Sequence, residues 1–163
     1  MRKPYGMLAV ALVAFTAAMA PSAALAGRPP KTFVAVLSAG EEVPPCPAAG
    51  NSSRGTAVFH VRDRAAGTVE YKLVANNIPG TTTQAHIHIA PRGVAGPIVQ
   101  PLPFRPGEEN GVIGRGTFTN PALVAALQAN PRAYYVNVHS TECPPGAIRG
   151  QLGEHGPPGT AER

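Results

Sequence analysis

The chain has 163 residues, 14% of them charged, no tryptophan, a formal net charge of +5 and an isoelectric point of about 9.7. That length supports one domain with a real core, not two. The basic residues Arg54, Arg62, Arg64, Lys72, Arg92, Arg105 and Arg115 are scattered singly, so the high isoelectric point is weak evidence for an anionic partner; no nucleic-acid motif is present and nucleic acid is not expected as a partner.

The first residues read as a secretory signal peptide. Arg2 and Lys3 form a basic start, Met7 to Ala20 is uncharged and mostly apolar, and Ala24-Leu25-Ala26 is a small-x-small cleavage site. The apolar run is too short and alanine-rich for a comfortable membrane span, so no span remains after cleavage. The expected division is a signal peptide over 1–26, a linker over 27–31, a domain over 32–152 and a flexible tail over 153–163. Loss of Arg2 and Lys3 leaves 12 basic against 9 acidic residues, a net of +3.

Beyond residue 31 the chain alternates strand-like runs with Pro/Gly punctuation, drawn from 19 prolines and 18 glycines in all. Strands are expected at Thr32–Ser38, Gly55–Arg62, Thr68–Ala75, Thr83–Ala90, Pro97–Leu102, Gly111–Thr119, Ala133–His139 and Ala147–Leu152. Asp63-Arg-Ala-Ala-Gly67 joins two alternating runs as a hairpin loop, and Asn76-Asn-Ile-Pro-Gly80 is a second turn. One helix is expected after Asn120, with Pro121 at its first position, an apolar stripe of Leu123, Val124 and Leu127, and Pro131 beyond its end. Eight short strands at regular spacing predict an all-β fold: a Greek-key β-sandwich or flattened barrel with one short helix.

Two of these strands carry the chemistry. In Gln84-Ala-His-Ile-His-Ile-Ala90, strand parity puts Gln84, His86 and His88 on one face and Ala85, Ile87 and Ile89 on the other. In Tyr135-Val-Asn-Val-His-Ser140, Tyr135, Asn137 and His139 share a face, opposed by Tyr134, Val136 and Val138. Two histidines at i and i+2 can chelate a metal, and a third from a neighbouring strand would complete a copper or zinc site. The same residues also fit a polar sheet face, solvated or hydrogen-bonded among themselves. A Pro/Gly loop follows each strand, Pro91-Arg-Gly93 and Pro144-Pro-Gly146, which predicts that both strands end on the same rim.

Cys46 and Cys143 are the two cysteines, in matching contexts, Val43-Pro-Pro-Cys46 and Glu142-Cys-Pro-Pro145. An even pair in an exported chain reads as a disulfide. It would close a loop of nearly a hundred residues, worth roughly 4–5 kcal/mol in the chain-entropy model. Glu41 and Glu42 open an acidic loop that this bond would draw toward the second histidine strand. Arg149, on the last strand, is a candidate for a salt bridge with Glu41 or Glu42, or for an anion. No catalytic residue is assigned: there is no Gly-x-Ser-x-Gly elbow, and Asp63 is the sole aspartate.

Six pieces in order resemble a known family. They are Leu37-Ser-Ala-Gly-Glu-Glu-Val-Pro-Pro45, Gly55-Thr-Ala-Val-Phe59, Tyr71-Lys-Leu-Val-Ala-Asn-Asn-Ile78, Ala85-His-Ile-His88 with Gly96-Pro-Ile-Val99, Tyr135-Val-Asn-Val-His139, and Pro145-Gly-Ala-Ile-Arg-Gly-Gln-Leu152. Together they resemble the CHRD domain, named after chordin and common as a stand-alone secreted domain in bacteria. The resemblance implies an extracellular β-sandwich and no settled activity. A more distant one concerns chemistry: His86-Ile-His88 is similar to the copper-ligand strand of Cu,Zn superoxide dismutase. That likeness implies His86, His88 and His139 as ligands and Arg149 as an anion-steering group. The bridging histidine and the His/Asp zinc cluster of that enzyme have no counterpart.

The expected function is therefore a secreted or periplasmic, non-catalytic binding module for an extracellular or cell-envelope ligand. The alternatives are a copper- or zinc-binding protein with a dismutase-like site, and a structural matrix component.

Overall fold

The computed structural model describes residues 31–153. Its strands are β1 (Thr32–Ser38), β2 (Arg54–Asp63), β3 (Thr68–Asn76), β4 (Thr82–Ile89), β5 (Ile98–Pro101), β6 (Gly111–Thr119), β7 (Tyr134–Ser140) and β8 (Ile148–Gln151). One helix, α1 (Pro121–Ala129), lies between β6 and β7. The fold is all-β, as the spacing of the runs predicts. The signal-peptide reading and nearly all of the tail fall outside the described residues.

The strands make one antiparallel sheet in the order β5-β4-β7-β8-β1-β2-β3-β6. After the β1-β2-β3 meander the chain crosses to β4 and β5, returns to β6 beside β3, and crosses again to place β7 and β8 in the middle. The sheet is curled, with β5 and β6 at its free edges. Residues 102–105 bridge the gap: the Leu102 amide donates to the Ala85 carbonyl at 2.9 Å and the Arg105 amide to the Ile113 carbonyl at 2.7 Å. The Tyr71 hydroxyl donates to the Pro103 carbonyl from inside.

The inner face is where the alternation of each strand leads. Phe33, Ala35 and Leu37 of β1 face Phe59, Ala57 and Gly55 of β2, which in turn face Tyr71, Leu73 and Ala75 of β3. Ile87, Val136, Val138 and Ile148 supply the same core from the other half, and Leu123, Val124 and Leu127 of α1 close its end. Each fully buried large side chain here stabilises by roughly 1.5–3 kcal/mol. The helix starts as its sequence predicts: the Asn120 side chain accepts from the Leu123 amide at 3.0 Å, with Pro121 behind it. Where β8 meets β1, Gly150 is required by space, since a Cβ there would lie 2.1 Å from the Val36 carbonyl oxygen.

The outer face differs between the halves. Along β2 buried residues alternate with partly exposed ones, whereas every residue of β7 and β8 is buried. Two segments roof the outer face of β4, β7 and β8: residues 39–53, tied down by the Cys46–Cys143 disulfide, and residues 90–97. Glu41 of the first forms a salt bridge with Arg92 of the second.

One expectation is corrected. β4 and β7 are antiparallel neighbours, with Gln84 opposite His139 and His88 opposite Tyr135. The Pro/Gly loops that follow them therefore lie at opposite ends of the strand pair, not on one rim.

Candidate metal centre

Strand parity brings His86, His88 and His139 to the same side of the β4–β7 pair, and the register does the rest. His139 pairs with Gln84 and His86 with Asn137, so the three imidazoles sit diagonally across two strands. Their ring centroids are 5.1, 5.6 and 6.0 Å apart. One ring nitrogen from each lies within 4.8 Å of the others. The residues are 9%, 6% and 8% exposed, so the roof covers them almost completely.

Backbone carbonyls orient two of the rings. Nδ1 of His88 lies 2.9 Å from the Gly96 carbonyl oxygen, and Nδ1 of His139 lies 2.9 Å from that of Pro144. A carbonyl only accepts, so each neutral ring carries its proton on Nδ1 and leaves Nε2 as the atom with the lone pair. Nε2 of His88 is buried without a protein partner. Nε2 of His139 faces Nδ1 of His86 at 3.3 Å. Metal-binding histidines are held in this way, by a hydrogen bond from the other ring nitrogen.

The electrostatics agree. Burial pushes the His86 pKa down to about 4, helped by repulsion from His139 and His88. Burial also lowers His88, against the Gly96 hydrogen bond and with the charges of His139 and Arg149. It lowers His139 too, against the hydrogen bond to Pro144. Near pH 7 all three rings are neutral, the form a metal requires.

A polar layer surrounds the rings. The Tyr135 ring stacks on His88 with centroids 4.7 Å apart, and the Arg149 guanidinium lies 3.5 Å from the centre of the same ring. Arg149 is 1% exposed and donates to the Pro91 carbonyl at 3.0 Å, so it faces the roof. The Gly96 amide donates to the Tyr135 hydroxyl at 3.1 Å, which pins the loop that orients His88. Asn137 donates to Glu42 at 3.3 Å and to the Pro145 carbonyl at 3.4 Å. Glu42 is buried, and desolvation lifts its pKa to about 8 despite the nearby charge of Arg149 and the hydrogen bonds from Asn137 and the Val43 backbone. Gly146, at φ 150°, packs against this pair; a Cβ there would fall 2.4 Å from Glu42 Oε2. Glu42 Oε1, Asn137 Oδ1 and Arg149 Nη1 are buried without hydrogen-bond partners.

Other residues fall elsewhere. Glu41 pairs with Arg92. His60 is on the outer face of β2, 2.9 Å from the Thr32 hydroxyl, away from the cluster. His155 lies outside the described residues. Beside His86 opens a cavity of about 460 Å³, walled by Gln84, Gln100, Leu102, Phe104 and Phe118. Sequence reasoning missed the orienting carbonyls of Gly96 and Pro144 and the stacking role of Tyr135. The Pro/Gly loops after each histidine strand were the available signal.

Cys46 and Cys143 are disulfide-bonded, with Cα atoms 5.7 Å apart. Among the described residues no helix is long and apolar enough to cross a membrane. No curated protein matches the chain. The model of the CHRD domain matches residues 33–152, and CHRD is an extracellular type of domain that the disulfide suits. With that match spanning nearly the whole described region, the chain belongs to the CHRD domain family.

Proposed function

We propose that this protein is an exported, non-catalytic CHRD module whose ligand is a copper or zinc ion held by His86, His88 and His139. The observation that carries this reading is the pair of Nδ1 contacts to Gly96 and Pro144, which leave Nε2 of His88 buried without a protein partner and Nε2 of His139 against Nδ1 of His86, with one ring nitrogen of each histidine within 4.8 Å of the others. A merely solvated polar strand face does not need carbonyl-oriented, buried, neutral imidazoles. Three nitrogen donors suit either metal, with a fourth position left for water or an outside ligand. Bound copper would supply one-electron chemistry and bound zinc a Lewis acid. Arg149 is engaged by Tyr135 and Pro91, which supports a role in holding the roof rather than in steering anions from solvent. Export rests on the Ala24-Leu25-Ala26 cleavage site, with a mature start at Gly27.

The test is elemental analysis of the exported protein, purified without a polyhistidine tag. Near-stoichiometric copper or zinc is expected, lost in His86→Ala and His139→Ala and kept in His60→Ala. Absence of both metals, together with no imidazole NMR response to added zinc or copper(I), overturns the reading. Mass spectrometry of the same sample checks the cleavage: a chain that retains residues 1–26 contradicts it.

A further inference from the structure

We propose that the Cys46–Cys143 bond is a positioning element of the histidine centre, fixing the His139 tautomer so that the site is assembled only in the oxidised chain. The inference rests on the metal reading for its consequence, but its structural half stands on the disulfide and the histidine rings alone.

Pro144, whose carbonyl orients His139, directly follows Cys143. The turn that contains both is folded around Cys143. The Ser140 amide donates to the Cys143 carbonyl at 3.2 Å, the Cys143 amide to the Ser140 hydroxyl at 3.1 Å, and the Gly146 amide to the Cys143 carbonyl at 3.1 Å. On the far side of the bond, Cys46 belongs to the roof segment that carries Glu42 onto Asn137. Asn137 in turn donates to the Pro145 carbonyl. The disulfide thus joins the two ends of a ring of contacts that encloses Pro144. With the bond open, segment 42–50 would be joined to this region by the Glu42–Asn137 hydrogen bond at 3.3 Å, while the turn keeps its own bonds to Thr81 and Ser140; the expected result is that the Pro144 carbonyl loses its single position.

His88 is a control built into the fold. Its carbonyl belongs to Gly96, which is pinned by the Tyr135 hydroxyl and has no covalent tie to either cysteine. Closing the bond removes two electrons and two protons from the thiols. They pass by exchange to another disulfide, which becomes two thiols. An oxidising compartment supplies such partners and a reduced cytosol does not. Metal capture would then follow export.

The experiment compares the exported wild-type chain with Cys46→Ala/Cys143→Ala, which has no thiol to act as a substitute ligand. Long-range ¹H–¹⁵N NMR of the metal-free imidazoles reads each tautomer. The wild type should show Nδ1–H at both His88 and His139; the double variant should lose that preference at His139 alone. Affinity for zinc alone and for copper(I) alone should fall about 10–100-fold, as when other partners of metal-bound histidines are removed. If the double variant does not fold, a glycine inserted between Cys143 and Pro144 in the oxidised chain displaces the carbonyl with the bond intact, and the same loss is expected. An unchanged His139 tautomer in a folded variant overturns the inference. A changed tautomer in a protein that binds neither metal overturns the metal reading and upholds the positioning role.

Discussion

The two halves of the sheet share one core and differ in what lies on their outer faces. On β2 the outward residues Thr56, Val58 and His60 are only partly covered, and the strand keeps the in–out alternation of a one-sided sheet. On β7 the outward residues Tyr135, Asn137 and His139 are as buried as the inward Tyr134, Val136 and Val138. Neither half lacks polar outward residues; the difference is the roof made by residues 39–53 and 90–97. A histidine under open solvent bonds its neighbour, as His60 does Thr32. Three histidines under a roof must be neutral, hydrogen-bonded and oriented, because burial penalises their charged forms. A polar strand face becomes a candidate site here only where something encloses it.

The largest test removes the fastening of the roof. Cys46→Ala/Cys143→Ala should cost about 2–5 kcal/mol in chemical denaturation. If the roof is what separates the halves, native-state hydrogen exchange should rise in residues 39–53 and 141–146 before it rises in β1, β2 and β3. Uniform acceleration across both halves would erase the distinction.

Acid comes next. His86 has a folded pKa near 4 and an ordinary value of 6.5. Between these the unfolded chain binds a proton that the folded chain refuses, so this contribution is complete above pH 6.5 and declines as pH falls toward 4. The burial of His86 and its repulsion from His139 and His88 drive that decline, with His88 and His139 shifted in the same direction. His86→Gln should flatten the acid limb of the stability profile measured against wild type. A variant with the same acid slope as wild type would place the ring in solvent.

Glu42 sharpens the comparison from the alkaline side, with opposite sign. Its folded pKa of about 8 exceeds its ordinary 4.5, so its contribution is complete below pH 4.5 and is lost as pH rises through 8. Glu42→Gln mimics the neutral form and should be more stable than wild type at alkaline pH, the difference growing between pH 4.5 and 8 and levelling off above that. Equal stabilities there would mean that the carboxylate is solvated or fully paired with Arg149. The smallest effect belongs to the open half: His60→Ala should change stability by no more than about 0.5 kcal/mol and leave metal binding intact.

Much of this was legible from the residues. Parity alone placed His86 and His88 together and His139 on the polar side of its own strand, because side-chain direction is a local property of an extended chain. The hairpin at Asp63–Gly67 and the cap at Asn120 were legible for the same reason: short-range geometry selects those residues. The even cysteine count predicted the Cys46–Cys143 bond. The rim was misread because matching loops after two strands say nothing of the strands' relative direction. Antiparallel pairing of β4 with β7 sends those loops to opposite ends. Equally hidden were the carbonyls of Gly96 and Pro144, since every residue offers the same carbonyl and only position distinguishes it.

The sequence by itself thus determined the strands, the faces of their histidines, the helix start and the cysteine pair, all of which follow from near-neighbour stereochemistry or from counting. Tertiary structure alone decided that β4 and β7 are adjacent, that Arg149 is buried against Tyr135, and that two exposed-looking loops cover a polar face. Those outcomes depend on contacts between segments fifty to a hundred residues apart, such as His86 with His139 and Glu42 with Asn137. Burial, and with it the neutrality of the imidazoles, is a property of what arrives from elsewhere in the chain.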